Sequence, residues 1–270
     1  MADVPFGFIN SGGICYFNTM LQAVISCPTV LRFPTAINDQ PSTQVGMTFK
    51  VLLSMINSGK IDGIQGLSAQ LVGALAAQLK TKGSTYIFQQ EDAGEFFGHL
   101  INELDTDNMF HGISRLFNCG ILTEVKCSNC SFVISKVSSE LILFVGSNLK
   151  VEETSVLTDY TCDNCHLIGT CTLTKSIDST GDILVIHFRD KYINPDIVIN
   201  YPVELQCKDI IYKVVAQVHH SGGLSGGHYY VSCTRGLGKV YTIDDAHVHP
   251  NFVEAHQQYL NVCMLFLCKV

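Results

Sequence analysis

The sequence has few basic residues, no cluster of them and no long apolar run, and each absence excludes a class of protein. Its 270 residues include 17 Lys and Arg against 24 Asp and Glu, so the formal net charge is −7. Without a basic cluster, binding to nucleic acid is not expected. No stretch reaches the roughly 18 consecutive apolar residues of a membrane-spanning helix, so no membrane contact is expected either. The chain is 47% hydrophobic and long enough to bury a large core.

Cysteine is present but too sparse for a secreted disulfide scaffold. The 12 cysteines are about 4% of the chain, below the density of such scaffolds. The first four residues, Met-Ala-Asp-Val, lack the basic region of a secretory signal, and Asn18 and Gln22 interrupt the apolar stretch that follows. We therefore expect reduced thiols or metal ligands, a cytoplasmic location and a monomer.

The hydrophobic pattern changes from helical to strand-like near Asp107. Apolar positions at helical spacing predict helices over 15–26, 47–56, 67–79 and, most clearly, 93–104. Beyond Asp107, segments rich in β-branched and aromatic residues predict strands over 115–126, 131–138, 183–189, 196–200, 211–219, 229–234, 239–243 and 259–269. Helices followed by mostly antiparallel strands predict the α+β class, with both parts sharing one core.

Two segments more than two hundred residues apart carry the residues of a thiol hydrolase. Cys15 follows Gly12-Gly13 at the start of a predicted helix, where unpaired backbone N–H groups favour the thiolate, so we expect a depressed pKa. His228 follows Gly226-Gly227 at the start of an aromatic strand and would serve as general base. Asp244, sixteen residues further on, would orient the imidazole. The ordinary alternatives are a buried structural thiol, a surface or core histidine and a solvated Ile-Asp-Asp-Ala turn.

Four cysteines in two Cys-x-x-Cys pairs predict a zinc site: Cys127 with Cys130, and Cys162 with Cys165. Tetrahedral zinc takes four thiolates from two tight turns, and a site filled by four thiolates is structural. The alternative is a redox-active pair, which would need only one Cys-x-x-Cys. We therefore predict one structural Zn²⁺ per chain. The other cysteines outside the nucleophile position are predicted to be core thiols: Cys27, Cys119, Cys171, Cys207, Cys233, Cys263 and Cys268.

Two further segments have ordinary interpretations when taken alone. The stretch from Gln89 to Phe96 is typical of an acidic helix start. The stretch His219-His220-Ser221-Gly222 could pass for a metal site, but no third ligand is evident, and we expect a loop beside the active site.

In this order, the segments resemble the ubiquitin-specific proteases, papain-like cysteine peptidases with thumb, fingers and palm. The family's Cys box, Gly-Leu-x-Asn-x-Gly-Asn-Thr-Cys-Tyr-x-Asn, is matched in register by Gly7, Asn10, Gly12, Cys15, Tyr16 and Asn18. Its Gln-x-Asp-Ala-x-Glu-Phe helix is similar to Gln90, Asp92, Ala93, Glu95 and Phe96. Its His box resembles residues 218–230, its closing aspartate segment 241–248 and its last palm strand 259–266.

The resemblance implies one catalytic domain over 1–270, with a helical thumb (1–107), zinc-binding fingers (108–181) and a β palm (182–270). It implies hydrolysis of the (iso)peptide bond after the C-terminal Gly-Gly of ubiquitin or a ubiquitin-like modifier, which would be the partner. The implied catalytic residues are Cys15 as nucleophile, His228 as general base, Asp244 as the residue orienting His228, and Asn10 as oxyanion donor, with Asp245 as a supporting acid.

Two alternatives remain open at this point. The compact, zinc-fingered form is also similar to the papain-like proteases of some RNA viruses, which cut their own polyprotein at Gly-Gly-like sites and remove ubiquitin. A catalytically silent ubiquitin-binding module on the same fold is the other, although it would have no need for the complete catalytic set. Gly13-Ile14 in place of the family's Asn-Thr, and Val240 where Trp is frequent, depart from the pattern.

Overall fold

The computed structural model describes residues 5–33, 40–83, 92–194, 196–223, 226–236, 238–251, 258–259 and 261–270. Helices come first and strands follow, which confirms the α+β class. The helices are α1 (Cys15–Val24), α2 (Pro28–Leu31), α3 (Gln44–Ser58), α4 (Leu67–Thr81), α5 (Ala93–Asp105) and α6 (Asp190–Ile193). Among these described helices, none has the length and apolarity needed to cross a membrane.

The described strands form a finger-like sheet in the middle of the chain, a larger sheet formed mostly from its last third, and a separate two-stranded sheet that pairs Ile199–Asn200 with Gln258–Tyr259. They are β1 (Cys119–Cys127), β2 (Val133–Glu140), β3 (Leu143–Val145), β4 (Glu153–Thr161), β5 (Ile168–Thr180), β6 (Ile183–Phe188), β7 (Ile199–Asn200), β8 (Glu204–Cys207), β9 (Ile210–Gly223), β10 (Gly226–Arg235), β11 (Lys239–Asp244), β12 (His247–Asn251), β13 (Gln258–Tyr259) and β14 (Val262–Lys269).

The larger sheet carries the helices on one face. Its strand order is β12-β11-β10-β9-β14-β6-β3, with β8 also paired to β9. The pairs are antiparallel except β3 with β6. Helix α1 packs across β10 and β9, and its side chains join Ala216, Val218 and Val231 in the main hydrophobic core. The buried helix α1 therefore packs directly against β9, which carries His219 and His220, and against β10, which carries His228.

The helix ends differ slightly from the prediction for a reason visible in the sequence. Helix α1 ends at Val24 rather than at residue 26, because Pro28 begins a separate short helix, α2, at its first position. Helix α5 begins where predicted, and its N-cap Asp92 accepts a hydrogen bond from the Glu95 backbone N–H at 2.9 Å.

The finger-like sheet, in the order β2-β1-β5-β4, includes two strands that the sequence pattern did not predict. Strand β5 lies between β1 and β4 and is antiparallel to both. Strands β4 and β5 are rich in Thr and Ser, and most of their residues are exposed or half-buried. A sheet with so little buried surface on either face has no strong apolar alternation, which is why period-two reasoning missed these strands.

Candidate active site and metal centre

Cys15 is the first residue of α1 and is only 4% exposed. The turn before it uses Gly12 and Gly13 at φ of 111° and 75°, conformations that glycine adopts without steric cost. Burial raises the pKa of the Cys15 thiol, and the Asp245 carboxylate raises it further, against backbone N–H groups of Tyr229 and Tyr16 that lower it. The depressed pKa expected from the helix position is therefore wrong, because desolvation of the thiolate outweighs the helix N-terminus.

His228 and Asp244 are joined directly across neighbouring strands. The β10–β11 register pairs Val231 with Ile243, which places His228 and Asp244 on the opposite face from that pair and within reach of each other. The His228 Nε2 lies 2.5 Å from Asp244 Oδ1. This contact occupies Nε2 and leaves Nδ1 as the ring nitrogen that can exchange a proton with another group.

The thiol and the imidazole lie on packed elements but are not hydrogen-bonded to each other. Cys15 contacts the backbone of Tyr229, the residue after His228. The side chains of His228 and Asp244 are 44% and 45% exposed, so this pair is open to solvent while the sulfur is covered. Catalytic hydrogen bonds commonly tighten only when substrate binds.

Asp245 is the centre of a hydrogen-bond network that fixes Asn10. Its Oδ2 accepts from Asn10 Nδ2 at 2.9 Å, and its Oδ1 accepts from Asn18 Nδ2 at 2.8 Å. The other end of the Asn10 amide, Oδ1, accepts from the backbone N–H groups of Gly12 at 3.2 Å and Ile14 at 3.1 Å. The Asn10 side chain is thus held at both ends, just before the residue that begins α1.

Glycine is required where backbone segments meet at this site. A Cβ on Gly7 would lie 2.2 Å from the Asp245 carbonyl oxygen, which itself accepts from the Phe8 N–H at 2.9 Å. A Cβ on Gly227 would lie 2.2 Å from His220 Nε2. Both glycines therefore permit a close approach that a larger residue would block.

The helix α5 motif packs against α1, the helix that begins with Cys15. The Phe96 ring contacts those of Tyr16 and Phe17, with centroids at 5.5 and 4.4 Å. Asp92 caps the helix, as the acidic-start interpretation predicts, whereas Gln89, Gln90 and Glu91 lie outside the described residues.

The two histidines before the glycine-rich segment do not form the predicted loop. They belong to strand β9. His219 is buried and stacks on Tyr230 at 4.6 Å, with Nε2 at 3.1 Å from Ser232 Oγ, and burial lowers its pKa to about 4. These contacts indicate that His219 is a neutral, structural histidine of the larger sheet.

The four predicted metal ligands converge at the tip of the finger-like sheet. The thiols of Cys127, Cys130, Cys162 and Cys165 all lie within 4.8 Å of one another. Cys127 and Cys165 sulfurs are 3.9 Å apart, and those of Cys130 and Cys162 are 3.6 Å apart. With Zn–S bonds of about 2.3 Å, tetrahedral thiolates are expected about 3.8 Å apart. The thiols therefore fit a zinc ion held between the two turns.

The turns also supply hydrogen bonds suited to thiolate ligands. Backbone N–H groups of Cys130 and Asn129 lower the pKa of Cys127. The Asn164 side chain and the Phe132 N–H lower the pKa of Cys130 to about 6. Such donors stabilise the deprotonated form that a metal requires.

Comparison with known proteins assigns the chain to a family. The family model described as ubiquitin carboxyl-terminal hydrolase matches residues 6–266, which include both clusters. The chain belongs to the ubiquitin carboxyl-terminal hydrolase family. Among curated relatives, the probable ubiquitin carboxyl-terminal hydrolase 16 of Schizosaccharomyces pombe is 24% identical, over 94% of this chain and 64% of the relative. Ubiquitin carboxyl-terminal hydrolase 25 of Arabidopsis thaliana is 23% identical, over 90% of this chain and 44% of the relative. The chain thus spans less than two thirds of either relative.

Solved structures confirm the fold expected of this family. A chain of the SAGA Ubp8/Sgf11/Sus1/Sgf73 DUB module bound to ubiquitin aldehyde matches with a TM-score of 0.77 and 19% identity, covering 100% of this chain and 70% of that one. A chain of the same module bound to monoubiquitin matches with a TM-score of 0.75 and 18% identity, with the same coverage. The thumb, palm and fingers architecture predicted from the resemblance is therefore confirmed.

Asn18 is a residue of this family member whose position at the site was not foreseen. Asn18 matches the family's Cys box, but the sequence alone assigned it no role. The structure places it on the buried α1, 2% exposed, with its amide donating to Asp245. The available signal was its polarity within a mostly apolar helix, since a buried amide needs a partner.

Proposed function

We propose that this ubiquitin carboxyl-terminal hydrolase family member is a thiol-dependent deubiquitinase. It would hydrolyse the (iso)peptide bond after the C-terminal Gly-Gly of ubiquitin or a ubiquitin-like modifier, its proposed partner. The observation that carries the proposal is the His228–Asp244 pair at 2.5 Å, on two neighbouring strands that pack against the helix that begins with Cys15. A binding module would have no use for this arrangement. The similarity to a module bound to ubiquitin aldehyde supports the choice of modifier.

The proposed mechanism begins with a neutral thiol, because burial and the Asp245 carboxylate raise the pKa of Cys15. His228 Nδ1 takes the thiol proton as the sulfur attacks the scissile carbonyl, and Asp244 at Nε2 stabilises the resulting imidazolium. The imidazolium then protonates the leaving amine. Water, activated by the same imidazole, hydrolyses the thioester and releases the modifier with a free carboxylate.

Asn10 is proposed to stabilise the oxyanion formed during attack. Its Nδ2 carries two hydrogens, and one is donated to Asp245. The second can be donated to the oxyanion without disturbing the bonds that fix the side chain. A donor held in advance is effective because it needs no reorganisation when the charge develops.

The zinc ion is proposed to be structural, one per chain, held by Cys127, Cys130, Cys162 and Cys165 within a single catalytic domain. Four thiolates would leave no coordination position for water or substrate, so the ion would supply stability to the fingers and no step of the reaction. The short apolar cluster around these thiols includes few other buried side chains, so the metal would contribute much of the stability at this tip.

A set of modifier probes with C-terminal electrophiles tests the proposed activity. The wild-type protein is expected to form an adduct with a ubiquitin or ubiquitin-like probe, and mass spectrometry should place it on Cys15. Cys15→Ala and His228→Ala should form none, whereas His249→Ala, a nearby histidine on β12, should react like the wild type. A folded wild-type protein that binds ubiquitin but forms no adduct would instead be a silent binding module.

A second measurement separates a deubiquitinase from a peptide-directed protease. We expect kcat/KM for an intact ubiquitin conjugate to exceed that for a peptide ending in Leu-Arg-Gly-Gly, because the folded modifier contributes binding energy that positions its tail. If the two kcat/KM values agree within about threefold, the folded modifier contributes less than about 1 kcal/mol of binding energy, because 1.4 kcal/mol corresponds to a tenfold change. That result would favour the polyprotein-processing alternative.

A further inference from the structure

Cys171 differs from the other cysteines predicted as core thiols, because it belongs to the metal centre's own small core. It is 1% exposed and packs with Cys127 and Cys162 in a cluster that the main core does not reach. A free cysteine in a core acts as a small apolar side chain with a weak S–H donor. Its position relative to the four ligands therefore determines what else its thiol can do.

The strand register sets Cys171 directly beside one of the metal ligands. Cys171 on β5 is the cross-strand partner of Cys127, the last residue of β1. Directly opposite residues of antiparallel strands have Cβ atoms about 4.5–5.5 Å apart, so their side chains contact each other. On its other side, Cys171 pairs with Leu157 of β4. The thiol is thus enclosed in the centre of the sheet, facing a ligand and shielded from water.

Cys171 lies beside the ligand set with its own S–H group. Its thiol is 1% exposed, and the strand register places it on the same face as Cys127. An S–H group is a weak hydrogen-bond donor, and the adjacent Ser128 backbone N–H donates to the Thr170 carbonyl at 3.2 Å. Cys171 is not one of the four thiols that lie mutually within 4.8 Å. It is therefore a neighbour of the ligands and not a ligand itself.

We propose that Cys171 is a positioning residue of the metal centre, whose S–H donates a hydrogen bond to the metal-bound Cys127 thiolate. This rests on the proposed zinc site. A thiolate bound to zinc carries more negative charge than a neutral thiol and is a better acceptor. Donors to ligand atoms fix their orientation, and loss of such a donor typically lowers metal affinity about 10–100-fold. Cys171 would therefore hold Cys127 in the tetrahedral arrangement.

Two substitutions at this position separate hydrogen-bond donation from packing. Cys171→Ser keeps a donor, whereas Cys171→Val keeps an apolar side chain of similar size and loses the donor. Zinc affinity is measured by competition with the chromophoric chelator 4-(2-pyridylazo)resorcinol, on full-length protein loaded with one equivalent of Zn²⁺. Cys207→Ser and Cys207→Val are matched controls, because Cys207 is a buried strand cysteine outside the metal cluster. Cys171→Ala, which needs no extra room and also lacks a donor, replaces Cys171→Val if that variant does not fold.

The donor role predicts that Cys171→Ser binds zinc nearly as tightly as the wild type and that Cys171→Val binds it about 10–100-fold more weakly. The thiolate-to-metal absorption band of the Co²⁺-substituted protein should shift in Cys171→Val and much less in Cys171→Ser. The reverse order of affinity, with Val close to wild type and Ser impaired, would overturn the proposal and leave Cys171 as a packing residue. A wild-type protein that holds no zinc would overturn the zinc site itself, which elemental analysis shows separately.

Discussion

The bond between Asn10 and Asp245 allows the origin of oxyanion stabilisation to be tested quantitatively. Asn10→Ala removes the proposed donor, and loss of one oxyanion donor typically costs about 10²–10³ in kcat, or 2.7–4 kcal/mol. Because the donor acts in the transition state, KM should change little. Asp245→Ala leaves that donor in place but removes the 2.9 Å bond that holds its amide.

The expected cost of Asp245→Ala follows from what continues to hold Asn10. Two backbone N–H groups would still bind its Oδ1, from Gly12 and Ile14. A hydrogen bond to a charged acceptor contributes about 1.5–3 kcal/mol, and each 1.36 kcal/mol changes a rate tenfold. Since Asn10 is exposed, we expect the lower part of that range, a roughly 10–30-fold loss of kcat.

A double-mutant cycle decides whether Asp245 acts through Asn10. If it does, the double variant should lose no more than Asn10→Ala alone, since there is no amide left to position. The assay is kcat on a fluorogenic ubiquitin conjugate, with Asn148→Ala as the matched control. Asn148 is an exposed asparagine whose Oδ1 likewise accepts from a nearby backbone N–H, that of Lys150. Losses that multiply in the double variant would refute the reasoning and assign Asp245 a role that does not depend on Asn10, such as its bond to Asn18.

Three further outcomes follow from the structure. The rate of Cys15 alkylation by iodoacetamide in the free protein should still increase as the pH rises past 9.0, the ordinary pKa of a thiol, because the raised pKa keeps Cys15 protonated at lower pH. A rate that reaches its plateau below pH 8 would contradict this. Removing zinc with a chelator should unfold the finger tip and weaken ubiquitin binding, and less than about half an equivalent of zinc in purified protein would count against the site. Gly7→Ala should destabilise the fold by about 1–3 kcal/mol, measured by urea unfolding, because its Cβ would meet the Asp245 carbonyl; wild-type stability would show that this segment can move.

At the metal centre, residue spacing predicted the ligands but not the strands that bring them together. Two Cys-x-x-Cys pairs predicted four converging thiols, since each tight turn brings its own two cysteines together. The two strands that bring the second pair to the first, β4 and β5, were not predicted, because their exposed Thr-rich residues show no apolar alternation. The pairing of Cys171 with Cys127 depends on that register and is invisible in the sequence pattern.

The sequence by itself determined that helices precede the strands, which family the chain resembles, and which residue types stand at the site. Apolar periodicity and motif spacing are local properties, and they survive without knowledge of packing. Only the tertiary structure decided how those residues interact. Packing of α1 on the larger sheet buries Cys15 and raises its pKa. The fold also brings Asn18 into hydrogen-bond contact with Asp245, which lies 227 positions away in the sequence. Desolvation and long-range hydrogen bonds depend on what surrounds a group, which neighbouring residues in the chain do not specify.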